Sequence, residues 1–99
     1  MRAYELLYFI NPSLDEDARK AVNDKVVNTI EGIGGTIDSI DEWGKRKLAY
    51  EIKDLTEGEY YLVKFHANPD SLSELDRILR ITDRVIRFMV TLRVDAEEK

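Results

Sequence analysis

An α+β sandwich, in the order strand, helix, strand, strand, helix, strand, is what the sequence predicts, on three observations. Four stretches alternate apolar and polar residues at period two, two others repeat apolar residues at spacings of three and four, and each of those two carries a single apolar stripe. Two one-sided helices bury their stripes together only on a shared sheet face. That makes a four-stranded antiparallel sheet with both helices on one face, the ferredoxin-like split βαβ sandwich, the economical solution. Ninety-nine residues hold one such domain, expected over residues 1–94, with 95–99 a short polar tail.

The first strand is AYELLYFI, residues 3–10, with Tyr4, Leu6, Tyr8 and Ile10 on one face and Asn11-Pro12 ending the run. Ser13 with Glu16 has capping-box spacing, and Asp15 is an equally good cap for the helix that follows. Ala18, Val22, Val26, Ile30 and Ile33 form that helix's stripe, and Gly32, Gly34 and Gly35 supply its stop. The second strand runs from Thr36 to Ile52. Ile37 and Ile40 are out of phase with strict alternation, which predicts a bulge between them, and Gly44 marks a second irregularity.

DLTEG, residues 54–58, reads as the turn into a third strand, EYYLVKFHA, so the second and third strands should form a hairpin. Asn68-Pro69-Asp70-Ser71 opens the second helix, Ser71 and Glu74 again have capping-box spacing, and Leu72, Leu75, Ile78 and Leu79 form its stripe up to Ile81. The last strand, 85–94, places Ile86, Phe88, Val90, Leu92 and Val94 on one face. Val85, Arg87, Met89, Thr91 and Arg93 take the other.

Composition removes several classes of function. The absence of cysteine excludes disulfides, thiolate nucleophiles and cysteine-ligated metals. No apolar run approaches the ~20 residues that span a bilayer, and MRAYELLYFINP is too short for a signal peptide, so a cytoplasmic location and no membrane partner are expected. The single histidine, His66, stands on a strand with no nucleophile or second ligand beside it and is read as structural or incidental. The acidic runs 15–17 and 41–42 lack calcium-loop spacing, and the glycines at 32–35 follow a helix instead of opening one, as a phosphate-cradling loop must. No catalytic residue, metal, cofactor or small-molecule substrate is therefore expected.

What stands out is segregated charge. The chain carries a net −5, yet residues 44–53 hold Lys45, Arg46, Lys47 and Lys53 against Glu51, and residues 77–93 hold Arg77, Arg80, Arg84, Arg87 and Arg93 against Asp83. Lysines on an edge strand also serve to block aggregation, and Arg77 and Arg80 complement a helix dipole. A cluster built from arginine alone nevertheless favours planar recognition of phosphate oxygens. The expectation is that these cations, distant in sequence, converge on one exposed surface that binds phosphate, while the acidic remainder limits non-specific binding. Trp43, beside Gly44 and the basic run, is expected to be partly exposed.

The opening MRAYELLYFINPSLDE, the centre GKRKLAYEIK with its G-x-x-x-L-A-Y-x-I pattern, the strand EYYLVKF after Gly58, and the closing ILRITDRVIRFMV together resemble the bacterial ribosomal protein six family of the small subunit, across nearly the whole chain. Glu51 stands where that family often has proline. The resemblance implies a ferredoxin-like fold, a non-catalytic role binding 16S ribosomal RNA in the central domain of the small subunit, and ribosomal protein eighteen as partner. Carried onto this sequence, it makes Arg2, Lys45, Arg46, Lys47, Arg80, Arg84 and Arg87 the expected RNA-phosphate contacts.

Three other readings share the element order. An RNA-recognition motif needs a K/R-G-F/Y-G/A-F-V-x-F/Y signature on the third strand; GEYYLVKF lacks the small residue between aromatics and has Glu57 before the glycine. An acylphosphatase-like hydrolase needs an anion-cradling loop after the first strand, where this chain has NPSL. A dimeric ligand sensor would associate through the open sheet face or an edge.

Overall fold

Tyr4, Leu6, Tyr8 and Ile10 are all buried, and so are Ala3 and Phe9 on the opposite face, the signature of a strand with neighbours on both sides. This strand, β1 (Arg2–Ile10), pairs with both β3 (Leu55–Ala67) and β4 (Val85–Leu92), and β2 (Thr36–Ile52) adds to the far side of β3. The sheet order is β2-β3-β1-β4, antiparallel throughout, so β2 and β4 are the two edges. This computed structural model describes residues 2–52, 55–82 and 84–93. Val94, the expected tail 95–99, Lys53 and Asp83 lie outside the described residues.

One face of the sheet receives α1 (Glu16–Gly32) and α2 (Leu72–Arg80), as the two stripes require. Val22, Val26 and Ile30 of α1 and Leu75 and Leu79 of α2 meet Tyr4, Leu6, Tyr8, Ile10, Tyr61, Val63 and Phe65 in one core. Tyr8 and Tyr61 are cross-strand partners whose rings stack with centroids 5.5 Å apart. The buried Tyr8 hydroxyl donates to Asn23 Oδ1 at 2.5 Å, which gives a polar atom in the core its partner. Burial pushes the ionisation of Tyr8 and Tyr61 upward, because a phenolate there would lose its hydration.

At the start of α1, Asp15 is the cap: its carboxylate accepts from the Ala18 N–H at 2.8 Å. Ser13 is drawn away into a turn, donating from both its N–H and its hydroxyl to Asn11 Oδ1. The expected bulge between Ile37 and Ile40 is present as a register shift between Ile37 and Ser39, and a second shift lies between Glu42 and Gly44.

Three expectations need correction. Asp54 of the expected DLTEG turn lies outside the described residues, and the rest of it is strand: Leu55 pairs with Ile52, and after a register shift Glu57 and Gly58 pair with Lys47 and Arg46. Gly58 was a misleading turn signal: a Cβ there would stand 2.6 Å from Phe9 Cδ1, so packing demands the glycine. Ser71 makes no capping bond, because Pro69–Ser71 forms a 3₁₀ turn that has already brought its backbone into the helical region. In β4, Phe88 and Val90 pack on the core as expected, but a register shift at Phe9/Ile10 sets Val85 opposite Ile10 and buries it in place of Ile86.

Candidate nucleic-acid interface

β1 ends at Ile10, opposite Glu59, whereas the β2–β3 ladder continues to Ile52 and Leu55, so this hairpin projects beyond the body of the sheet. Lys45, Arg46 and Lys47 lie on the projecting part, opposite Glu59, Gly58 and Glu57, and all three are exposed. Alternation sends Lys45 and Lys47 to the helix side and Arg46 to the open face. Glu59 does not neutralise Lys45; its carboxylate leans towards Arg19, at 3.9 Å.

The arginines of the second cluster divide. Arg77 makes a two-pronged bond to Glu74, 3.1 and 2.6 Å, which holds the glutamate below and the arginine above their ordinary ionisation ranges. Arg80 donates from Nε to Asp76 at 2.5 Å. Arg93 is folded inward, donating to Asp38 at 2.5 Å and to the Phe65 carbonyl at 3.3 Å. His66 Nδ1 lies 2.7 Å from the same Asp38 carboxylate. Arg84 is exposed beside a hollow lined by Ala21, Val22, Lys25, Ile81 and Thr82, on the helix side. Arg87 lies opposite Phe9 on the open face. Arg2 is exposed opposite Ala67, at the far end of β1, ~26 Å from Ile10 along a strand of this length.

The expected single surface is therefore not what the fold builds. β2 and β4 are opposite edges, and helical geometry lets Arg77 and Arg80 find carboxylates three and four residues back. At this end of the sheet Arg46 and Arg87 share the open face, whereas Lys45, Lys47 and Arg84 lie on the helix side. Among the described residues, no carboxylate comes within ion-pairing distance of Arg2, Lys45, Arg46, Lys47, Arg84 or Arg87.

On the open face the sequence reading missed most of the apolar surface. Two adjacent hollows of about 330 and about 370 Å3 share Leu7 and Met89; one is completed by Phe9, Tyr60 and Arg87, the other by Trp43, Leu62, Glu5 and Thr91. Met89 is 56% exposed and Trp43 44%, as expected of the tryptophan. The available signal was apolar residues on both phases of the alternation, Leu7 and Phe9 in β1 and Leu62 in β3, which marks strands with two covered or sticky faces. Gly44 sets Trp43 in place: its φ of +83° absorbs the extra residue of the bulge, a conformation open to glycine at little cost.

A sheet with a cationic hairpin and a partly exposed tryptophan is suited to binding. The family model for ribosomal protein S6 matches residues 3–91. Small ribosomal subunit protein bS6 of Clostridium novyi (strain NT) is 54% identical over 90 residues, covering 91% of this chain and 95% of that protein. The bS6 protein of Clostridium botulinum (strain 657 / Type Ba4) is 52% identical over 90 residues, covering 91% and 96%. In three dimensions, the crystal structure of 30S ribosomal protein S6 from Thermotoga maritima superposes with a TM-score of 0.91 at 36% identity, over 98% of this chain and 92% of that one. By sequence and by fold, the chain belongs to the ribosomal protein S6 family of structural, non-catalytic components of the small ribosomal subunit, cytoplasmic within the ribosome.

Proposed function

We propose that this protein binds 16S ribosomal RNA in the central domain of the small subunit, together with ribosomal protein eighteen, and serves there as a scaffold. The observation that carries the reading is the state of its cations. Lys45, Arg46 and Lys47 stand exposed on a projecting hairpin without an ion-pair partner among the described residues, while Arg77, Arg80 and Arg93 are held by carboxylates of the chain. Unneutralised cations in a chain of net −5 form a local anion site whose surroundings repel phosphate elsewhere. Arg84 and Arg87 extend the contact, Arg2 makes a separate one at the other end of β1, and Arg80 joins only by sharing or leaving Asp76.

The test is binding of the chain, with and without ribosomal protein eighteen, to a central-domain ribosomal RNA fragment across a range of salt. With about four phosphate contacts, log affinity falls against log salt with a slope of roughly −3 to −4. A salt-independent affinity, or no cooperation between the two proteins, rejects the reading.

A further inference from the structure

We propose that the open face of the sheet, at the end that carries Arg46 and Arg87, binds an unpaired stretch of RNA, stacking bases on Trp43 and Tyr60 and holding phosphates at the two guanidinium groups. This rests on the RNA-binding reading above and adds to it the form of the RNA and the surface that takes it.

Gly44, Tyr60, Phe9 and Arg87 form one continuous row across all four strands, and Arg46 lies two residues beyond Gly44 on the same face. Phe9 is buried and its ring lies against that of Tyr60, centroids 5.1 Å apart, so the Tyr60 ring is braced from below. The bulge at Gly44 brings Trp43 over Leu62, beside the hollow that shares Leu7 and Met89 with the Tyr60 side. Planar rings between two free guanidinium groups match a nucleotide strand, whose bases need a flat apolar surface and whose phosphates need planar donors. The two arginines are three inter-strand steps apart across the sheet and two residues apart along it, roughly 16 Å in all, a width on which a four-stranded sheet stacks about two or three bases.

Charge gives the face a direction. At its other end Arg93 and His66 are already engaged by Asp38, Lys64 sits opposite Glu5, and Asp41 presents a carboxylate beside Leu62, so the cations there stand among carboxylates. A duplex cannot use such a site, because its bases are stacked and paired away from the protein.

Trp43 is the sole tryptophan, so its emission reports on the site directly. The full chain is titrated with oligouridylate, a single strand whose bases are unstacked, and with the same strand annealed to oligoadenylate. The single strand quenches Trp43 saturably and the duplex does not. The double variant Arg46→Gln/Arg87→Gln weakens the response by about tenfold or more and reduces the salt slope by ~1.4, or ~0.7 per lost contact. Absence of quenching by the single strand, equal quenching by the duplex, or unaltered affinity in the double variant overturns the proposal. So does a Trp43 response to ribosomal protein eighteen alone, which makes the face a protein interface. The two readings fail separately: if the chain still binds the folded ribosomal RNA fragment while the oligonucleotide gives no signal, only this inference falls. If it binds neither, the broader reading falls with it.

Discussion

Arg93, just past the end of β4 at one edge of the sheet, donates to Asp38 Oδ2 in β2 at the other edge, at 2.5 Å. Its side chain crosses the open face over β1, where Ala3 is small enough to let it pass, and its own N–H bonds to the Ala3 carbonyl at 2.9 Å. Arg93 Nε is buried without a partner among the described residues, so the guanidinium depends on Asp38 and the Phe65 carbonyl for its satisfaction. A bulge before Ser39 accompanies Asp38. The network ties together strands that share no ladder.

Replacing Asp38 by asparagine is accordingly expected to destabilise the fold by about 2 kcal/mol, because it weakens a charge-assisted bond and leaves a mostly buried guanidinium under-paired. Urea unfolding of the variant beside the parent checks this; a midpoint within error of the parent's shows that the network is decorative.

Gly58→Ala should cost roughly 1–3 kcal/mol, since the added methyl would stand 2.6 Å from the Phe9 ring, itself wedged under Tyr60. Thermal unfolding measures it. A glycine needed only for turning would be affected far less by alanine.

At Gly44 the cost has a different origin. Nothing lies within 4 Å of the new Cβ, but φ is +83°, so Gly44→Ala is expected to lose about 1–2 kcal/mol through backbone strain alone. Trp43 emission should shift as the bulge readjusts; an unchanged spectrum and midpoint contradict the assignment of the bulge to Gly44.

Alkaline stability follows from the raised ionisation of Tyr8 and Tyr61. The unfolded phenols ionise near 10.0, the buried ones later, so their contribution is complete below pH 10 and declines as pH rises above it. Tyr8→Phe should flatten that decline while lowering neutral-pH stability by ~1 kcal/mol through loss of the bond to Asn23. Urea midpoints on either side of pH 10 compare the two; parallel curves for parent and variant contradict the expectation.

The triple replacement of Lys45, Arg46 and Lys47 by glutamine should reduce the salt slope of ribosomal RNA binding by roughly 2 to 3 and leave the unfolding midpoint within ~0.5 kcal/mol of the parent. Retained slope and affinity would remove the hairpin from the interface.

Much of this protein was legible in the chain itself, because the relevant physics is local. Period-two alternation in β1 and β3, the stripe Val22, Val26 and Ile30, and the phase slip between Ile37 and Ile40 each follow from side-chain direction along a regular backbone, and together they leave one sandwich that buries both helices. Charge partnership is another matter. Sequence places Arg80, Arg87 and Arg93 in one cluster, but ion pairing falls off within a few ångströms, and strand order and bulges set those distances. Arg80 meets Asp76 through helical spacing alone, but that Arg93 crosses the sheet to Asp38 while Arg87 is left beside Phe9 was decided only when the edges β2 and β4 took their places on opposite sides of the fold.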